Sequence, residues 1–166
     1  GLTTARLVVE GAEGVLFAAT SADMFADVPG RIIMFPTSPD MAPIEAMSRS
    51  GRVLDLVRAP GGPVMATFDD GWLASLDPET GEVLWQVAAG EDRVRFSTGG
   101  DGRFAVTIPD GFGEAGGQKI WDLATGEIVA EFNDLRGFGM MPDPVFDPMG
   151  RWIQLGAPSG VGENTG

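Results

Sequence analysis

Histidine and cysteine are both absent from this chain of 166 residues. Without histidine, the chain lacks the side chain best suited to proton transfer at neutral pH. Histidine-dependent catalytic triads and histidine-ligated haem or zinc are therefore excluded within the sequence. Without cysteine, the fold uses no disulfide, and the redox compartment is left undecided.

Basic residues are also scarce, with 11 Lys and Arg against 24 Asp and Glu and a formal net charge of −13. This negative charge repels a phosphate backbone, so the sequence predicts no nucleic-acid binding. The same charge favours solubility or a basic partner. Long hydrophobic runs are lacking, and no membrane span is predicted. Gly1 to Thr4 begin no signal peptide, although a chain that starts at glycine is expected to have been processed or trimmed. The cytoplasm is slightly favoured as the compartment, and the periplasm and the extracellular space are left open.

One turn is written twice in the sequence: Leu76–Val83 recurs as Trp121–Ile128, 45 positions further along (76 to 121). Each copy holds an aspartate at its second position and a glycine at its sixth: Asp77, Gly81, Asp122 and Gly126. Aspartate accepts backbone hydrogen bonds within a turn, and glycine adopts the positive φ that lets the chain reverse. Each copy lies between two short apolar runs, so each predicts a β-hairpin. A period of this length is typical of an array of small β-sheets.

The strand and turn pattern divides residues 1–166, taken as one region, into four units. They run approximately from 5 to 50, 51 to 90, 91 to 136 and 137 to 166. The last unit holds only its first two strands. With 25 glycines and 12 prolines falling mostly between the apolar runs, the sequence predicts an all-β chain of short strands and tight turns.

Parts of this pattern resemble two families of β-propeller. Trp121 and Asp122 match the dipeptide that names the WD-repeat family, and residues 96–126 resemble one of its blades. Residues 71–85 instead resemble the repeat of quinoprotein-like propellers, in which a tryptophan after the turn docks between blades. Both resemblances imply four-stranded blades, here about three and a half of them, and so a partial propeller or a fragment of a larger one. The histidine network of many WD-repeat blades cannot form in this chain, and the vicinal cysteines of quinone dehydrogenases are missing.

The four tryptophans fall within predicted strands, at places related by the repeat. They are Trp72, Trp85, Trp121 and Trp152. Aromatic residues embedded in strands mostly supply buried area, so packing between blades is favoured over ligand binding. Together with the turn residues Asp77, Gly81, Asp122 and Gly126, they are predicted to have structural roles.

Three irregular segments carry apolar side chains that could meet a partner protein: 21–30, 109–117 and 133–144. Their candidate contact residues are Met24, Phe25, Phe112, Phe138, Met140 and Met141. The first two segments join the second and third strands of their units, and loops at such places emerge on one rim of a propeller. Exposed apolar residues on neighbouring loops would form a contact patch. The alternative is that each aromatic residue packs against its own blade.

Carboxylates are numerous, but most of them fall in turns whose geometry Asp and Gly satisfy by themselves. Residues 23–27 and 110–114 offer oxygen ligands without the alternating spacing of a calcium loop. The sequence therefore predicts no catalytic, cofactor-binding or metal-binding residues.

The function that these features favour is a non-catalytic scaffold that binds a protein partner, or the remaining blades of the same propeller, through its rim loops. One alternative is a fragment of a quinoprotein-like or hydrolase propeller enzyme whose catalytic residues lie in other blades. A second alternative is a sensor or regulatory propeller attached to an effector domain.

Overall fold

A computed structural model describes seven ranges of the chain: 5–20, 29–90, 94–99, 101–109, 117–132, 145–147 and 153–154. These ranges contain fourteen strands and no helix. In chain order the strands are β1 (Ala5–Glu10), β2 (Leu16–Thr20), β3 (Gly30–Phe35), β4 (Ile44–Arg49), β5 (Val53–Arg58), β6 (Val64–Phe68), β7 (Trp72–Leu76), β8 (Val83–Ala88), β9 (Val94–Thr98), β10 (Phe104–Pro109), β11 (Gln118–Asp122), β12 (Glu127–Phe132), β13 (Val145–Phe146) and β14 (Ile153–Gln154). Since the described part of the chain holds no helix, it also holds none that could cross a membrane.

The strands form three four-stranded antiparallel sheets, each a meander in which every strand pairs with the next one along the chain. We call them blade 1 (β1 to β4), blade 2 (β5 to β8) and blade 3 (β9 to β12). A two-stranded sheet of β13 and β14 follows. The all-β prediction is confirmed, including strands across both apolar runs that follow the repeated turns.

The repeated turns fold through the same local contacts in blades 2 and 3. The Asp77 carboxylate accepts hydrogen bonds from the backbone N–H of Glu79 at 2.9 Å and of Thr80 at 2.8 Å. Gly81 follows with φ of 74°, a left-handed conformation that glycine adopts without strain. In blade 3, Asp122 Oδ1 accepts from the N–H of Ala124 at 2.9 Å, and Gly126 has φ of 73°.

The middle blade is buried on both faces because it has a neighbour on each side. All five residues of β6 are buried. Alternate side chains point to opposite faces of a strand. Accordingly, Val64, Ala66 and Phe68 pack with blade 1, whereas Met65 packs with Ala105 of blade 3.

The three blades are arranged side by side with their first strands together. Strand β1 contacts β5, and β5 contacts β9. The last strands, β4, β8 and β12, are largely exposed. First strands grouped on one side and last strands facing solvent on the other are typical of blades placed radially about an axis.

Blade 1 leaves an apolar face uncovered on the side away from blade 2. The pair Leu16 and Phe35 lies on this face, with 43% and 41% of each residue exposed. The pair that occupies the same place in blade 2, Val64 and Leu76, is completely buried against blade 1. We call the uncovered surface around Leu16, Ile33 and Phe35 the open face of blade 1.

Candidate functional site

The residues predicted to contact a partner through rim loops lie outside the described ranges. They are Met24, Phe25, Phe112, Phe138, Met140 and Met141. Trp152, predicted as a structural residue, lies outside them as well. Their roles stay predictions, and the site below is built from described residues.

Trp85 joins blade 2 to the repeated turn of blade 3. Its indole N–H donates to the backbone oxygen of Leu123 at 2.8 Å, across the junction between the two blades. The ring lies directly on Gly126, where a Cβ atom would come within 2.7 Å of Trp85 Cδ2. The corresponding glycine of blade 2, Gly81, packs instead against Met34 of blade 1, whose Sδ lies 3.0 Å from the place of such a Cβ. Each junction thus fits a turn glycine of one blade against a side chain of the preceding blade.

The other two described tryptophans also have structural partners. Trp121 is 2% exposed and donates from its indole N–H to the Thr107 hydroxyl at 2.9 Å. Trp72 is half-buried under the Arg49 guanidinium, which lies 3.9 Å from the ring centroid and pairs with Asp70 at 3.0 Å. A buried aromatic ring whose N–H group has a partner, as in Trp121, is a packing element.

Titratable side chains do not converge on one point in the described ranges. No group of three or more Asp and Glu side chains there could hold a metal ion. Asp69 pairs with Arg52 at 2.6 Å, and Asp77 serves its own turn. Burial raises the pKa of Asp55 on β5, partly offset by a hydrogen bond from the Leu56 N–H. A single buried carboxyl supplies neither a proton-transfer pair nor a metal site.

A groove of about 410 Å³ opens between blades 2 and 3, at the rim where their tight turns meet. It is bounded by the β5–β6 and β7–β8 turns on one side and by the β9–β10 and β11–β12 turns on the other. Its lining residues are Gly62, Pro63, Pro78, Leu84, Gly102, Arg103, Leu123 and Ala124. We call it the junction groove. All but Arg103 are uncharged, so the surface that it offers is mainly apolar.

Leu84 is placed in the junction groove by an irregularity in blade 2. The pairing of β7 with β8 shifts between Ser75 and Leu76, which leaves Leu84 as an extra residue on β8. A bulge of this kind redirects a side chain relative to the regular alternation. Leu84 is 54% exposed. Val129 holds the same place in the bulge of blade 3 and is 53% exposed, but it does not line the groove.

The sequence gives no direct sign of the junction groove, and the partner contacts that it predicts fall on segments 21–30, 109–117 and 133–144 instead. The groove residues come from four turns that are distant in sequence, and no local motif marks them as a set. Two features of the sequence lie in the groove: the apolar residue Leu84 within a repeated strand, and the element Gly102-Arg103, which recurs at Gly150-Arg151.

Comparisons with known proteins bear on the fold. No family model matches the sequence, and no curated protein matches it significantly. HIRA(644-1017) has a similar structure, with a TM-score of 0.52 at 10% sequence identity over 90% of this chain and 47% of that one. The Cps50 (Swd1) β-propeller domain of Myceliophteria thermophila gives 0.56 at 15% identity, over 85% of this chain and 44% of that one. The chain thus spans just under half the length of each. The predicted fold is confirmed: the three blades have the fold of a β-propeller.

Proposed function

We propose that this chain is part of a β-propeller scaffold that binds another protein and performs no catalysis of its own. The observation that carries the proposal is the junction groove. It presents an apolar surface that includes the half-exposed Leu84, and its one charged lining residue, Arg103, is no proton-transfer group at neutral pH. Grooves of this character on a rigid frame suit recognition of a polypeptide better than chemistry on a small molecule.

The frame around the groove supports this role because its turns are fixed from both sides. Trp85 ties blade 2 to the backbone of Leu123, which itself lines the groove. Asp77 and Asp122 hold the two repeated turns through backbone hydrogen bonds. A surface held in its binding conformation loses little conformational entropy on association.

The remaining blades of the ring are a second class of partner in this proposal. We take residues 1–166 as one propeller region. The open face of blade 1 supports this, because Leu16 and Phe35 are exposed where their equivalents in blade 2 are covered by a neighbouring blade. A covering blade would remove this exposed apolar surface from water.

The rim loops predicted from the sequence form a second contact surface in the proposal. The strands that precede segments 21–30, 109–117 and 133–144 are β2, β10 and β12, and each ends at the rim opposite the junction groove. Phe25, Phe112 and Phe138 are its aromatic anchors, and Met24, Met140 and Met141 add adaptable thioether contacts.

Site-specific photo-crosslinking in cells that express the protein tests the scaffold proposal. A benzoylphenylalanine is placed at Leu84 in the groove, or at the matched bulge position Val129 as a control. We expect a discrete protein adduct from position 84 that position 129 does not give. Equal adduct patterns from the two positions would contradict a role for the groove. Substitutions Phe25→Ala, Phe112→Ala and Phe138→Ala, with recovery of the same partner measured, test the opposite rim separately.

A further inference from the structure

We infer that the junction groove binds a basic segment of a partner protein, with an aliphatic side chain in the groove and Lys or Arg side chains over its acidic borders. This inference rests on the proposed function and adds the chemistry of the partner. It comes from the exposed carboxylates at the rim that contains the groove and from the apolar lining of the groove.

The rim that contains the groove is strongly acidic. It is formed by the connections β1–β2, β3–β4, β5–β6, β7–β8, β9–β10 and β11–β12. Its exposed carboxylates include Glu13, Asp40, Glu79, Glu82, Asp101 and Glu127. Among the side chains that the structure describes, Arg58 and Arg103 are the cations at this rim. The potential over it is therefore negative, and it attracts cations.

At the opposite rim, two carboxylates that the structure describes are paired with arginine. Arg52 pairs with Asp69 at 2.6 Å, and Arg49 pairs with Asp70 at 3.0 Å. At the rim of the groove, the exposed carboxylates that the structure describes outnumber the two arginines. Charge complementarity consequently favours a basic occupant at this rim over an acidic one.

The two cations at the acidic rim are already engaged by the protein. Arg58 donates from its guanidinium to the backbone oxygen of Gly11. Arg103 lies 3.8 Å from the Asp122 carboxylate and stacks at 4.7 Å over the Phe104 ring. Glu79 and Glu82, on the turn that carries Pro78, have no ion-pair partner among the described residues. Each lies within two positions of a lining residue of the groove and is available for a ligand.

The size and lining of the groove set the second requirement on the partner. A volume of about 410 Å³ is at the lower end of the range for binding pockets, and it suits one or two side chains of a peptide. Leu84, Pro63 and Leu123 offer it apolar contact. An aliphatic side chain therefore fits the groove better than a charged one does.

Fluorescence anisotropy with a short labelled peptide of alternating lysine and leucine tests this inference on the chain. We expect wild-type protein to bind the peptide. Leu84→Gln should weaken this binding about tenfold, because a leucine of the peptide then buries less apolar surface in the groove. The double variant Glu79→Gln, Glu82→Gln is expected to weaken binding about threefold at low salt and to reduce its salt dependence. Val129→Gln, with the same substitution at the matched bulge, is expected to bind like wild type.

Two further peptides separate the two requirements. We expect a peptide with glutamate in place of lysine not to bind, and one with serine in place of leucine to bind more weakly than the parent peptide. Equal binding to wild type and Leu84→Gln, equal binding of the glutamate peptide, or no binding of the lysine–leucine peptide would overturn the inference. If that result came together with specific photo-crosslinking at position 84, the scaffold function would stand and only the basic character of its partner would be wrong.

Discussion

Replacing Gly126 by alanine tests whether the junction between blades 2 and 3 is as tightly fitted as its geometry indicates. The substitution acts in two ways at once. Gly126 has φ of 73°, a conformation that alanine adopts only with strain. A Cβ atom there would also lie 2.7 Å from Cδ2 of Trp85 and 2.9 Å from its Cε3, so the indole would have to move.

The expected loss of stability can be divided between these two causes. The positive φ costs about 1–2 kcal/mol for a residue with a Cβ. Displacing a packed side chain costs about 1–3 kcal/mol more, of which about 1 kcal/mol comes from the hydrogen bond between Trp85 Nε1 and the Leu123 oxygen. We therefore expect Gly126→Ala to lower the free energy of unfolding by about 2–5 kcal/mol.

Gly61→Ala is the matched control, because it retains the first cause and lacks the second. Gly61 has φ of 64°, and no atom lies within 4 Å of the place of its Cβ. We expect this variant to lose about 1–2 kcal/mol. Urea unfolding followed by far-UV circular dichroism and tryptophan fluorescence measures both variants. Equal losses for the two would refute the close fit of Trp85 against the turn.

Three other changes probe the charges and the open face. Hydrogen bonds from the N–H groups of Thr80 and Glu79 lower the pKa of Asp77 below its usual value of 3.8. The ionised carboxylate therefore stabilises the fold at pH values above 3.8. The advantage of wild type over Asp77→Asn should therefore shrink in urea unfolding as the pH falls from about 5 to 2. Burial raises the pKa of Asp55, so Asp55→Asn should gain stability relative to wild type in the same assay as the pH rises from about 3 to 7, and a constant difference would contradict this. Phe35→Ala should lower the binding of a hydrophobic dye and reduce the free energy of unfolding by about 1 kcal/mol or less. Leu76→Ala, at the equivalent buried place in blade 2, should reduce it by about 2–5 kcal/mol. Equal losses for the two variants would show that Phe35 is covered.

The blade fold could be predicted from the sequence because its signals are local. Asp77 and Gly81 determine a hairpin through contacts within a few residues, and the same turn recurs around Asp122 and Gly126. Neither the histidine network nor the cysteines of the resembled families are needed for these contacts. The meander then follows, because each strand pairs with the next along the chain.

The junction groove could not be predicted in the same way, since it depends on how two blades meet. Leu84 and Val129 occupy equivalent places in the repeat and have almost the same exposure. Leu84 lines the junction groove, because the turns of blade 3 lie beside it, and Val129 is not among the lining residues. The raised pKa of Asp55 likewise depends on burial that long-range packing creates. A sequence repeat specifies the structure that its units share, whereas the junction groove forms where two neighbouring units meet.

The fitting of each turn glycine to the preceding blade also restricts how this array can be rearranged. Gly81 rests against the thioether of Met34, and Gly126 rests against the indole of Trp85. A thioether and an indole differ in shape, so each turn is fitted to a different neighbour. Exchanging blades 1 and 2 in the gene would bring each turn onto the wrong neighbour, although both modules share one topology. The blades therefore share one topology but cannot be exchanged in order. A blade moved to another place would need both sides of each contact to be moved with it.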